Sequence, residues 1–110
     1  MESILTSVKK MLGITEEYTQ FDVDIILHIN SVLMILTQLG VGPKTGFTID
    51  DKYDVWTDFV DTDQVEAVKS YVYLKVRLIF DPPTSSAVIG AMERTLSELE
   101  WRLNIAAETN

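Results

Sequence analysis

Few residues in this sequence have the type and spacing that chemistry needs. His28 is the single histidine, and Asp24 stands one helical turn before it, where a carboxylate can orient an imidazole. No credible nucleophile accompanies the pair, and one histidine excludes a multi-histidine metal site within one chain. A structural or interfacial role is the expectation for His28. Asp50, Asp51, Asp54 and Asp58 could collect a hard cation, but they lack the alternating ligands and central glycine of a calcium loop. A solvated acidic surface is the expectation there. The chain has no cysteine, so disulfides, thiolate metal sites and a cysteine nucleophile are removed. Phosphate-loop, GxSxG and HExxH patterns are absent as well. The sequence therefore predicts no catalytic residue, no metal and no cofactor.

What remains are residues suited to contact. Lys75 falls within an apolar helical arc, where it either snorkels its amine to water or forms a desolvated ion pair across a subunit boundary. Trp101 points away from the apolar stripe of the last helix, with Ile105 beside it. It either packs under the acidic loop of its own chain or anchors an interface. Leu27, Met34 and Ile35 lie opposite the core stripe of their helix. Trp56 sits in the acidic segment with Tyr53 and Phe59 at three-residue spacing, consistent with one or two helical turns. An acid-rich loop with buried aromatic anchors is the expectation there, and an interface role for Trp56 is the alternative. Leu27, Met34, Ile35, Trp56, Lys75, Trp101 and Ile105 form the candidate subunit or partner interface.

Four helices must position these residues. Ile4, Leu5, Val8, Met11 and Leu12 predict an amphipathic helix near 3–12, stopped by Gly13. A second helix near 22–39 is capped by Asp22 and carries Ile25, Ile26, Ile29, Val32, Leu33, Leu36 and Leu39 on one face. The central helix near 63–80 opens with Asp63 and Glu66 in a variant capping box. Val65, Val68, Val72, Val76 and Ile79 form one stripe along it, with Ala67, Tyr71, Leu74 and Leu78 beside it. A strand would explain the alternation between Val72 and Leu78, but the helical register runs longer than a typical strand. Pro82 and Pro83 end it. The last helix, near 86–105, is capped by Ser85 or Ser86, with Val88, Ile89, Met92, Leu96, Leu99 and Leu103 as its core stripe; the tail beyond is expected to fray. Between the second and central helices runs a long acidic loop, in which Phe47–Ile49 could pair as a short strand or hairpin.

These elements make an all-α fold, a small bundle of about four helices in a single domain over residues 1–110. Its 46% hydrophobic and 24% charged residues are those of a folded chain. The apolar region from Val23 to Leu39 is too short and polar to span a bilayer, which needs roughly 20 apolar residues, and no signal-peptide pattern opens the chain. A soluble, intracellular protein with no membrane partner is expected. The net charge of −8, with nine scattered Lys and Arg, argues against gripping DNA through its phosphates.

The run AVKSYVYLKVRLIFDPP (Ala67 to Pro83), the later ELEWRLN (Glu98 to Asn104) and the segment INSVLMILTQLGVGP (Ile29 to Pro43) resemble small head–tail connector proteins of tailed bacteriophages and prophages. The likeness covers about Ser3 to Asn104. It implies a non-enzymatic, all-helical adaptor at the virion neck, made in the host cytoplasm during assembly. Such a protein forms a ring with copies of itself, dodecameric on the virion, beneath the portal protein. It provides the platform for tail or head-completion proteins, while genomic DNA passes through its channel without sequence-specific binding. The alternative is a small helical regulatory or DNA-binding module, which would need a basic recognition helix that none of the four provides.

Overall fold

The order of elements follows the apolar periodicity. A computed structural model describes residues 2–109. It contains α1 (Ile4–Met11), α2 (Asp22–Gln38), a four-residue α3 (Trp56–Phe59), a 3-10 turn (Thr62–Gln64), α4 (Val65–Phe80) and α5 (Ser86–Thr109). The fold is all-α: the four expected helices are present, and α3 is a single helical turn in the acidic segment, where the aromatic spacing fits one or two. α4 is the middle element: it packs against α2 on one side and α5 on another, and also meets α1 and α3. Ile25, Ile29, Val32, Leu33 and Leu36 of α2 are buried in one core with Ile4, Leu5 and Val8 of α1 and Val68, Tyr71, Val72 and Val76 of α4. Each such aliphatic side chain contributes about 1.5–3 kcal/mol on burial. The β-branched run of α4 is helical because its 3.6-residue stripe finds two helices to bury against, whereas strand pairing would need a neighbouring strand, and none is present among the described residues.

Several local expectations need correction. The capping box at Asp63 and Glu66 does not form: the chain enters α4 through the 3-10 turn, Gln64 is the N-cap, and it makes no side-chain cap bond. Glu66 instead lies 3.9 Å from Lys69. Asp22 is the first helical residue of α2 and not its cap; Phe21 precedes it without a capping bond. The Asp22 carboxylate is drawn to Lys9, 2.8 Å away. Ile79 and Val88 leave their expected stripes and are exposed, since both lie at the α4–α5 corner where no other helix covers them. The expected fraying after Ile105 is not seen as far as Thr109, to which α5 continues; Asn110 lies outside the described residues. Asn104 Nδ2 donates to the Leu39 carbonyl at 3.0 Å, and a Cβ on Gly40 would stand 3.1 Å from that of Ala107. The last turns of α5 are thereby held against the end of α2.

The long segment between α2 and α4 is fixed by side chains in place of a sheet. Phe47–Ile49 forms no strand; Asn30 supplies both hydrogen bonds that a neighbouring strand would, to the amide and the carbonyl of Ile49. Among the described residues the β-like pairing is one antiparallel bridge between Ser3 and Val55, with Ile4 N donating to Asp54 O at 2.9 Å.

Candidate functional site

The residues singled out for chemistry make contacts within the fold. His28 is half-buried on α2, and its ring meets Phe80 of α4 edge-on at 6.3 Å. Asp54 Oδ2 accepts from the amide of Asp50 at 2.8 Å, Asp51 Oδ1 from the amide of Tyr53 at 2.9 Å, and Asp58 Oδ2 from the amide of Val55 at 3.3 Å. These carboxylates shape the acidic loop by satisfying its backbone. Among the described residues no group of three or more His, Cys, Asp or Glu side chains converges as metal ligands would.

The candidate interface residues divide into three groups. Leu27 and Met34 are 63% and 57% exposed and point outward from α2, together with Val23. Trp101 and Ile105 are exposed on the outward face of α5, with Trp101 64% accessible. Trp101 therefore does not pack under the acidic loop. Ile35 is half-buried and packs against the core. Trp56 is a core residue and not a surface one: it is fully buried, and its indole Nε1 donates to Ser7 Oγ at 2.8 Å. The Ser3–Val55 bridge turns the start of α3 inward and carries Trp56 under α1.

Lys75 finds its partner within its own chain. Its ammonium lies 3.8 Å from Glu100 and 5.8 Å from the centre of the Tyr71 ring, while the side chain stays partly exposed. Tyr71 Oη donates to Glu100 Oε2 at 2.6 Å, so one carboxylate on α5 holds two residues of α4. Burial, reinforced by the hydrogen bond to Glu100 and its negative charge, pushes the Tyr71 phenol well above its ordinary range.

An apolar groove of about 370 Å³ runs along the outer side of α2, lined by Leu27, Asn30, Met34, Thr37, Phe47 and neighbouring atoms. Its far wall is the Gly46–Thr48 stretch, which the Asn30–Ile49 bonds hold alongside the helix. Phe47 and Val23 were not expected at the surface site. Val23 shares the helical face of Leu27 and Met34, a signal present in the sequence; Phe47 belongs to no periodic pattern.

The arrangement offers apolar contact on two separate helices and gathers no reacting groups. Among the described residues no helix is long and apolar enough to cross a membrane. No curated protein and no solved structure matches the chain. A family model described as phage connector protein matches residues 4–110, and the chain belongs to that family of structural phage assembly proteins.

Proposed function

We propose that the protein is a head–tail connector: a single adaptor domain that assembles into a ring at the virion neck, docks beneath the portal protein and receives tail or head-completion proteins. The observation that carries this reading is the pair of outward apolar faces on α2 and α5, with α4 between the two helices. Two different adhesive faces on one chain associate head to tail, and such a contact closes as a ring when its rotation permits. The net charge of −8 suits a channel through which DNA slides without sticking, because fixed negative charge does not neutralise phosphates.

Electron microscopy of portal-containing capsids incubated with purified protein tests the reading. Added ring density on the portal vertex, whose copy number can be counted directly, is the expected result. Capsids that retain no protein, from a chain that is also monomeric at all concentrations, would defeat it.

A further inference from the structure

The α2 groove and the Trp101–Ile105 ridge are both apolar and both solvent-exposed in the isolated chain. We propose that the groove of one copy receives Trp101 and Ile105 of a second copy, with the two helices parallel. This rests on the ring reading and names its contact.

Charge pattern selects both the occupant and its direction. Asp24 stands at the N-terminal end of the groove, and Lys44 lies in the Pro43–Gly46 turn that leads into its far wall. On α5, Arg94 precedes Trp101 by two turns and Glu108 follows it by two. All four charges are exposed, and among the described residues none has an ion-pair partner in its own chain. Asp24 to Gln38 on the groove and Arg94 to Glu108 on the ridge each span ~21 Å of helix. Parallel docking brings Arg94 toward Asp24 and Glu108 toward Lys44, with Trp101 over the groove between Leu27 and Gln38. Antiparallel docking would set cation toward cation and anion toward anion, which suppresses that arrangement.

The internal geometry of the chain favours the same direction. Phe21, at the start of α2, stacks edge-on with Phe80 just before the corner that begins α5. Leu39, at the end of α2, accepts from Asn104 near the end of α5. The two helices therefore run the same way within one chain. In a ring whose axis runs along these helices that direction is preserved, and a contact between α5 and the α2 of a neighbour is then parallel.

Light scattering and sedimentation across concentration test the proposal on the full chain, with circular dichroism confirming that each variant is folded. Trp101 is mostly exposed, so Trp101→Ala is expected to leave melting unchanged while raising the concentration needed for association at least ~tenfold. Arg94→Asp and Asp24→Arg are each expected to weaken association ~tenfold, and the double variant to recover most of it. Wild-type association that Trp101→Ala does not alter, or a double variant no better than either single one, overturns the docking assignment and leaves the ring reading standing. A wild type that is monomeric throughout also overturns it, and capsid binding then decides the ring reading separately.

Discussion

The side-chain amide of Asn30 takes both backbone groups of Ile49: Nδ2 donates to the Ile49 carbonyl at 3.0 Å, and Oδ1 accepts from its amide at 2.8 Å. One residue on α2 thus stands in for a strand, and it keeps the loop beside the helix so that Phe47 walls the groove. Asn30→Ala would leave both groups of the buried Ile49 without their partner. The expected loss is about 1–3 kcal/mol, as for unsatisfied buried polar groups. Hydrogen exchange at the Ile49 amide should accelerate more than exchange in α4, and an unchanged Ile49 would show that the bonds do not hold the loop.

Lys9 is only 2% exposed, yet it is charged, and its Nζ lies 2.8 Å from Asp22 Oδ1 and 3.0 Å from the carbonyl of Glu16. It ties α1 and the connector to the start of α2. Truncating one member of such a pair strands the other, so Lys9→Ala is expected to cost about 3–5 kcal/mol. Lys9→Met combined with Asp22→Leu removes both charges and should recover much of that loss. A thermal-denaturation cycle of Lys9→Met, Asp22→Leu and their double variant measures the coupling; additive effects would mean that the pair is not energetically joined.

Tyr71 gives the fold a pH limit. Its phenol ionises only above its ordinary value of 10.0 in the folded chain, because burial, the Glu100 hydrogen bond and the Glu100 charge all oppose the phenolate. Unfolded chains lose that proton from about pH 10 upward while folded ones keep it, so the unfolded state binds fewer protons and stability falls with rising pH. Below pH 10 this contribution is fully present. Denaturant midpoints measured from pH 8 to 11 should decline above 10, and Tyr71→Phe should flatten that part of the profile. An equally steep decline in the variant would assign it to other groups.

Gly42 adopts φ 86, and a Cβ placed there would stand 2.8 Å from Cζ of Phe59. Gly46 adopts a similar φ of 89 with open space around it. Gly46→Ala should cost only the left-handed backbone term of about 1–2 kcal/mol. Gly42→Ala must also displace a buried ring and should cost clearly more. Equal melting temperatures for the two variants would show that Phe59 yields freely.

The helices were legible because their apolar spacing repeats over many residues, and the strand alternative for Val72–Leu78 fails once the register is followed from Val65 to Val76. What escaped the sequence depends on partners far along the chain. The tail stays helical because Asn104 and Ala107 reach Leu39 and Gly40, and nothing in AAETN announces that contact. Lys9 reads as a surface cation until Asp22 is placed beside it. The Asp63–Glu66 spacing fits a capping box, but Asp63 is taken into the 3-10 turn at Thr62–Gln64 and Glu66 falls inside α4 beside Lys69. Of the candidate surface, Leu27, Met34, Trp101 and Ile105 follow from helical phase. Trp56 has only one helical turn and no phase to extrapolate; its burial with Phe59 follows the aromatic-anchor reading of the segment and not the interface alternative.

The two tryptophans should therefore behave as opposites. Trp56 is fully buried with its Nε1 bonded to Ser7, whereas Trp101 is 64% exposed. Trp56→Ala creates a cavity beneath α1, while the Ser7 hydroxyl keeps its bond to the Ser3 carbonyl, and about 3–5 kcal/mol of destabilisation is expected. Trp56→Phe keeps most of the ring volume and should lose less. Trp101→Ala should move the melting temperature little. Emission spectra separate the two residues without assembly: with Trp101 replaced by Phe the remaining emission should be blue-shifted and poorly quenched by iodide, and with Trp56 replaced by Phe it should be red-shifted and readily quenched. If both variants gave the same quenching, the burial of Trp56 would be wrong, and with it the separation between a core tryptophan and a contact tryptophan.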